Sequence, residues 1–441
     1  MANLTQLRMA ARAIFDEALR DVDAGAAVKN AVGIEPSRVN ICDTNFELTP
    51  DRRVFSVAIG KAAVPMAVAL EQTLADRFMA GVISGPDASA RKPSNRWQYF
   101  AGGHPLPSDA SLAAAKAALA LLERANDERS LVIFLVSGGG SAMLESPITA
   151  DITLADLRVA NRVLVEGGAS ISEINAVRRA FSGIKGGRLA ARALNCAQAT
   201  LIVSDVPIGQ EWNVASGPTL LPPKDAPSPD EVVGRYGLGN QLPPSILRAI
   251  ENSAAGLPEQ KTDHPHFVLL DNDTALEAAA DAAAKRGFTA EIARDISDEE
   301  IEVGCEKLFA RLSSSARSHP EGSCLISGGE FACPVRGNGI GGRSLETALR
   351  LAISADQNSE RVGEFVALCA GTDGIDGNSP AAGAIVDHTT MERARKIGLE
   401  PRNFLNRSDS YSFFVALGDV ITTGPTGTNV RDVRILLSVT R

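Results

Sequence analysis

Short, uninterrupted apolar runs alternate with longer alanine-rich stretches along this chain. The runs are residues 54–59, 131–136, 199–203, 267–270, 323–326 and 364–370. Each is too short for a buried helix and is closed by Gly, Ser, Asp or Asn. Apolar runs without alternation fit strands covered on both faces, as in parallel sheets. The stretches between them, such as 109–125 and 274–286, are good helix formers. Strand alternating with helix predicts the α/β class with a mostly parallel sheet.

The pattern breaks near the middle. Residues 220–246 read LLPPKDAPSPDEVVGRYGLGNQLPPSI, and the chain stays polar to about residue 265. Proline, glycine and charge at this density mark a boundary. Two α/β domains are therefore expected, 1–245 and 265–441, although 242–252 can also be read as a helix. Residues 433–439 read as a strand of either sheet.

Composition changes the picture only by exclusion. Over 441 residues, Lys and Arg total 44 against 53 Asp and Glu, a net charge of −9. That balance excludes a general nucleic-acid or anionic-membrane binder, and an acidic small substrate would need a local cationic pocket. The six cysteines, Cys42, Cys196, Cys305, Cys324, Cys333 and Cys369, form no Cys-x-x-Cys and read as free thiols. Leu7, Ala10, Ile14, Ala18 and Val22 recur at helical spacing, so the first residues predict a helix rather than a signal peptide. With no apolar stretch long enough to span a bilayer, a cytoplasmic protein is expected.

The chemistry collects where the apolar runs end, which is where open α/β sheets bind ligands. After residues 54–59 comes Gly60-Lys61, with a lysine at the start of a predicted helix. A cation there opposes the helix dipole, which an anion nearby would explain. After 131–136 comes Ser137-Gly138-Gly139-Gly140-Ser141. Glycines at a strand-to-helix turn make a nest of backbone N–H groups suited to phosphate or carboxylate. Asn175, Arg178, Ser182 and Lys185 fall on one face of a predicted helix that Gly186-Gly187 stops. That stripe suits a negative substrate or plain solvation equally. Asp205 follows 199–203, placed to orient a hydroxyl or bind metal.

The second half repeats the theme. Glu330 follows Ser327-Gly328-Gly329, and Gly337, Gly339 and Gly342 match G-x-G-x-x-G, a weak signal alone. The element before it, 331–335, contains Pro334 and suggests an edge strand. Arg343 opens a helix directly after this glycine run, placed to clamp phosphate or carboxylate. Asp373 and Asp376, on the glycine-rich turn after 364–370, could hold Mg²⁺ through oxygen. Asn429 closes a Thr- and Gly-rich loop. No histidine occurs in these loops, and His104 reads as structural. The absence of G-x-x-x-x-G-K-[ST] excludes a P-loop NTPase. Anion cradles, a lysine, an arginine and several aspartates form the toolkit of phosphoryl transfer.

Taken together, AIGKAAVPMA, GGHPLP, FLVSGGGSAML, INAVRRAFSGIKGGRLA, LIVSDVP, ASGPT, ISGGE, GNGIGGRSLETAL, GTDGIDG, AAGAIVD and TGPTGTNVRD occur in that order over nearly the whole chain. This set resembles the class II glycerate 2-kinases, whose C-terminal half is called the MOFRL domain. The resemblance implies a Rossmann-like N-terminal domain, a smaller α/β C-terminal domain and an active site in the cleft between them. It also implies phosphorylation of D-glycerate to 2-phosphoglycerate with ATP and Mg²⁺. Lys61 and Arg343 fall on the family's central lysine and arginine. Asp205 would orient the attacking hydroxyl or help bind metal. Ser137–Ser141 would cradle phosphate or the substrate carboxylate, joined by Asn175, Arg178, Lys185 and Asn429. Gly339, Gly341, Gly342 and Glu330 would meet the nucleotide, and Asp373 and Asp376 the metal. Departures at Ile208–Trp212, Ser344 and Asn378–Pro380 leave the acceptor acid open, as is a homodimer. The alternatives are a hydroxypyruvate reductase using NAD(P)H at Gly337–Gly342, and a non-catalytic sugar-acid binder.

Overall fold

The computed structural model describes residues 4–49, 52–86, 94–253, 264–358 and 363–439. They fold as two compact units: 24–270, and 271–439 together with residues 4–23.

In the first unit the strands are β1 (Val54–Ile59), β2 (Phe78–Gly85), β3 (Trp97–Ala101), β4 (Leu131–Ser137), β5 (Ala197–Val203) and β6 (His266–Leu270). They form one sheet in the order β3-β2-β1-β4-β5-β6, parallel throughout. β1 and β4 are buried along their whole length, which is why they read as unbroken apolar runs. Phe55, Val57, Val132 and Phe134 pack against Ala114, Ala118 and Leu122 of helix Asp109–Asp127. The strand order reverses between β1 and β4, and such a reversal opens a crevice beyond the carboxyl ends of those strands. Register pairs Ile59 with Val136 and Ser137 with Val203. The loops carrying Lys61, Ser137–Ser141 and Asp205 therefore start side by side.

β2 escaped the pattern because its interior holds Gly81 and Ser84. Gly81 is required there: a Cβ would lie 2.2 Å from the Trp97 ring. A three-stranded antiparallel sheet, Val32–Glu35, Arg38–Ile41 and Thr44–Glu47, was also unannounced, its strands being short and half-polar.

The second unit has a mixed sheet. Its strands are β7 (Thr289–Ile292), β8 (Ser323–Gly329), β9 (Glu364–Gly371), β10 (Gly383–Asp387), β11 (Val420–Ile421) and β12 (Asp432–Val439). The order is β7-β8-β12-β9-β10-β11. Only β7 and β8 run parallel; the other neighbours are antiparallel. The expected parallel character thus holds for the first sheet and fails for the second. Two strands cause this: β12, the last strand, enters between β8 and β9 and runs against both, and β10 runs against β9 and β11.

Two boundaries move. Residues 246–253 and 264–270 complete the first unit, because helix Pro244–Ser253 packs with the other helices there and β6 closes its sheet. The N-terminal helix Leu4–Asp21 belongs to the second unit, not to the 1–245 domain expected. Its buried stripe of Leu7, Ala11, Ile14, Phe15 and Ala18 packs on helix Asn272–Ala284, β9 and β12. Arg8 fastens it by donating to Asp387 and, at 2.6 Å, to Asp419. Residues 331–335 form no strand; only Ala332 bridges to Glu300. Among the described residues, no helix is long and apolar enough to cross a membrane.

Candidate active site

The first unit builds an anion cradle at its strand reversal. Gly60 ends β1 at φ +104°, and a Cβ there would lie 2.3 Å from the Ser137 carbonyl. Only glycine lets the two loops approach this closely. Ser137 Oγ donates to Ile59 O and accepts from Ala62 N–H, both at 3.0 Å, and Lys61 N–H donates to Gly138 O at 2.8 Å. Gly139 is left-handed, at φ +78°, and leads into the short helix Gly140–Met143. No described hydrogen bond uses the amides of Gly139, Gly140 or Ser141, as befits a nest waiting for an acceptor. A Cβ on Gly139 would sit 3.2 Å from both Lys61 Cγ and His104 Cδ2. The fold thus brings His104 to the cradle; its sequence position gave no signal of this.

Behind the cradle lies a buried polar network. Ser141 Oγ and Ser216 Oγ are 2.7 Å apart, and Ser216 Oγ donates to Asn175 Oδ1 at 2.8 Å. Ser216 is held by a left-handed run, Ala215 at φ 52°, Ser216 at 63° and Gly217 at 66°, a strained backbone of the kind found at functional sites. Helix Ile171–Phe181 carries Asn175 and Arg178. Arg178 Nε donates to Asn161 Oδ1 at 2.9 Å. The helix stops at Phe181, so Ser182 and Lys185 lie beyond it rather than on its face. Lys185 pairs with Glu145, whose Oε1 also accepts from Ser182 Oγ at 2.6 Å. Glu145 and Lys185 are each 1% exposed. Burial lowers the Lys185 pKa, and the Glu145 charge opposes this. Arg178 and Lys185 are therefore committed to internal partners, correcting the expectation that they meet substrate. Asp205 is half-buried just past β5, beside this loop set.

The second unit centres on Arg343, the first residue of helix Arg343–Gln357. Its Nε donates to Asp432 Oδ2 at 2.7 Å, and its Nη2 meets Glu330 Oε1 at 2.5 Å. Burial works against its charge, but Asp432 and Glu330 outweigh this and raise its pKa. Glu330 is thus a partner of the arginine; a carboxylate there would repel a phosphate. Asn272 ties the surroundings together: its Nδ2 donates to Val430 O and Asp432 O, and its Oδ1 accepts from Gly329 N–H.

The glycine run serves packing instead of phosphate. A Cβ on Gly337, Gly339 or Gly341 would collide with Arg407, Asp409 or Ser410, and one on Gly342 with Asp376. Gly339 N–H donates to Arg407 O, and Gly341 N–H donates to Asn378 Oδ1 at 2.8 Å. The amides of Gly339 and Gly341 are thus taken by internal acceptors. Asn429 is also internal, its Oδ1 accepting from Arg431 N–H at 3.3 Å.

Asp376 is a helix cap. It is 3% exposed and accepts from Ser344 N–H at 3.1 Å and Leu345 N–H at 2.8 Å. Each of its oxygens thus accepts one backbone N–H. Asp373 and Asp432 are better placed: a Cβ on Gly371 would lie 3.3 Å from Asp373 Oδ1 and 3.4 Å from Asp432 Oδ1. Two carboxylates thus converge on a space that glycine leaves open, a donor set Mg²⁺ accepts when phosphates complete its shell. Among the described residues no group of three or more His, Cys, Asp or Glu forms a metal cluster.

Burial, and then the Asp432 charge, push the Asp376 pKa up to about 7. The folded carboxyl therefore holds a proton that the unfolded one releases near its ordinary value. Its stabilising contribution is complete at acid pH and is lost as pH rises through about 7. Wild type is expected to lose more stability between pH 5 and pH 8 than Asp376→Asn, as read by urea unfolding at both values. Equal losses would contradict this.

Comparison with known proteins finds a family model for each part of the chain. The model for the domain of unknown function DUF4147 matches residues 10–251, and that for the MOFRL family matches residues 323–432. A protein of Agrobacterium vitis named as a hydroxypyruvate reductase is 38% identical over 87% of this chain and 99% of its own. A D-glycerate 2-kinase of Thermotoga maritima is 34% identical over 97% of this chain and 100% of its own. A solved glycerate kinase from Thermotoga maritima superposes with a TM-score of 0.81 at 31% identity, covering 99% of this chain and 100% of that one. With a DUF4147 part on the parallel sheet, a MOFRL part on the mixed one and kinase relatives matched from end to end, the chain belongs to the class II glycerate 2-kinase family.

Proposed function

We propose that the protein transfers the terminal phosphoryl group of ATP to the 2-hydroxyl of D-glycerate or a closely related hydroxy acid. The observation that carries this reading is the cradle at the strand reversal. The amides of Gly139, Gly140 and Ser141 take part in no described hydrogen bond, and Lys61 stands beside them. Neutral dipoles and one ammonium suit an anion that is handed on rather than one held permanently.

In this reading the acceptor hydroxyl oxygen attacks the terminal phosphorus, the bond to the ADP oxygen breaks, and the hydroxyl proton leaves toward Asp205. Lys61 and Arg343 are the proposed charge-neutralising groups. Asp432 and Glu330 hold the guanidinium in one orientation, and in the loose transition state of phosphoryl transfer fixed positive charge does most of the work. Asp373 and Asp432 are the residues that would hold Mg²⁺, which supplies further neutralisation of phosphate charge when bound. A cytoplasmic location fits the use of ATP and six cysteines that are all free thiols.

The test pairs two assays. ADP release that depends on D-glycerate is expected, and NADH oxidation that depends on hydroxypyruvate is not. The reverse outcome would overturn the kinase reading in favour of the reductase named in the Agrobacterium relative.

A further inference from the structure

Arg179 has no acceptor. It lies in helix Ile171–Phe181 and is 4% exposed, yet no described hydrogen bond uses its side chain, and its buried Nη1 has no partner. The indole of Trp212 lies over the guanidinium at 4.9 Å. Arg188 adds a second positive charge, its Nη1 donating to the carbonyls of Arg179, Ser182 and Lys185. Burial first, and then Arg188, lower the Arg179 pKa to about 10. Three acids of this region have other partners: Glu211, beside Trp212, accepts from Gly209 N–H at 2.8 Å. Glu145 is taken by Lys185 and Ser182, and Glu173 by Arg235, Tyr236 and Ser170. Leaving a buried guanidinium with empty donors and no carboxylate is costly, so the arrangement calls for an anion from outside the chain.

Its position says which anion. Asn175 and Arg179 are four residues apart on one helix face, about 5–6 Å between their Cβ atoms. Asn175 bonds Ser216, and Ser216 meets Ser141 of the cradle. Trp212 and Ser216 belong to the same turn, Glu211–Ser216. That turn therefore covers the arginine at one end and touches the cradle at the other. We propose that Arg179, under Trp212, is the subsite that takes the carboxylate of the acceptor acid, with Trp212 moving as the acid enters. This rests on the kinase reading and names where its substrate is recognised.

Trp212 reports on its own site. Titration with D-glycerate, without nucleotide, is expected to change tryptophan emission saturably, to leave it unchanged with glycerol or with ATP, and to lose the response in Trp212→Phe. Arg179→Gln is expected to raise the KM for D-glycerate about tenfold or more, leaving the KM for ATP within about twofold. Arg179→Lys keeps the charge but loses the forked donor geometry. It should fall between the two, and it serves should the glutamine variant fail to fold. A rise in the KM for ATP instead would assign the subsite to phosphate and overturn the carboxylate claim. So would emission indifferent to D-glycerate in an enzyme that turns it over. An emission response without ATP-dependent turnover would keep the subsite and overturn the kinase reading.

Discussion

Lys61→Ala is expected to lower kcat by about three orders of magnitude with little change in stability. Gly139, Gly140 and Ser141 offer only neutral dipoles, so in the proposed reaction the ammonium would supply the full positive charge that this loop set directs at a phosphate. The chain is acidic overall, at −9, and long-range attraction cannot replace it. Charge that builds on the transferring group is felt most in the transition state, so kcat should fall far more than the KM for ATP rises. The fold should survive, because the contacts that join the two loops run through the backbone of Lys61 and through Ser137 Oγ. Lys61→Arg should recover part of the activity. Steady-state kinetics beside thermal unfolding check this, and a kcat within tenfold of wild type would remove Lys61 from the mechanism.

The largest stability effect is expected at Glu145. Glu145→Gln leaves Lys185, 1% exposed, without its countercharge and with Arg178 as a like-charged neighbour. Removing one partner of a buried ion pair costs about 3–5 kcal/mol, against a total of roughly 5–15 kcal/mol for a folded domain. The first unit should therefore unfold at markedly lower denaturant. The double variant Glu145→Gln with Lys185→Met should recover much of the loss, since it removes both charges together. Urea unfolding of the two variants decides the matter. A single variant within about 1 kcal/mol of wild type would mean that the pair is solvated and not sealed. Activity should fall in parallel, because Glu145 also balances the charge of Arg178, which donates to Asn175, the acceptor of Ser216.

How much of this was legible beforehand follows the range of the interactions. β1, β4 and β5 announced themselves because strands buried on both faces leave an unbroken apolar trace. The cradle was readable for a related reason: its glycines answer to local backbone geometry at Gly60 and Gly139. Arg343 at a helix start was readable too. Its partners were not: Asp432 lies far away in sequence, and it reaches the arginine beside Glu330 only through the pairing of β8 with β12. The same limit misled the reading of Arg178 and Lys185. A polar stripe looks alike whether it faces substrate or a buried glutamate, and Glu145 gave no sign of being 1% exposed. The G-x-G-x-x-G match is a weak signal because glycine also serves close packing, here of Gly337, Gly339 and Gly342 against Arg407, Asp409 and Asp376. Arg179 was overlooked because an unsatisfied guanidinium is visible only once every neighbour has been placed.

Phosphorus NMR of the product formed from ATP and D-glycerate tests the central claim most directly. The account predicts a phosphomonoester on the 2-hydroxyl, formed together with ADP. A phosphate on the 3-hydroxyl, or no new phosphorus resonance beyond slow hydrolysis of ATP, would contradict it.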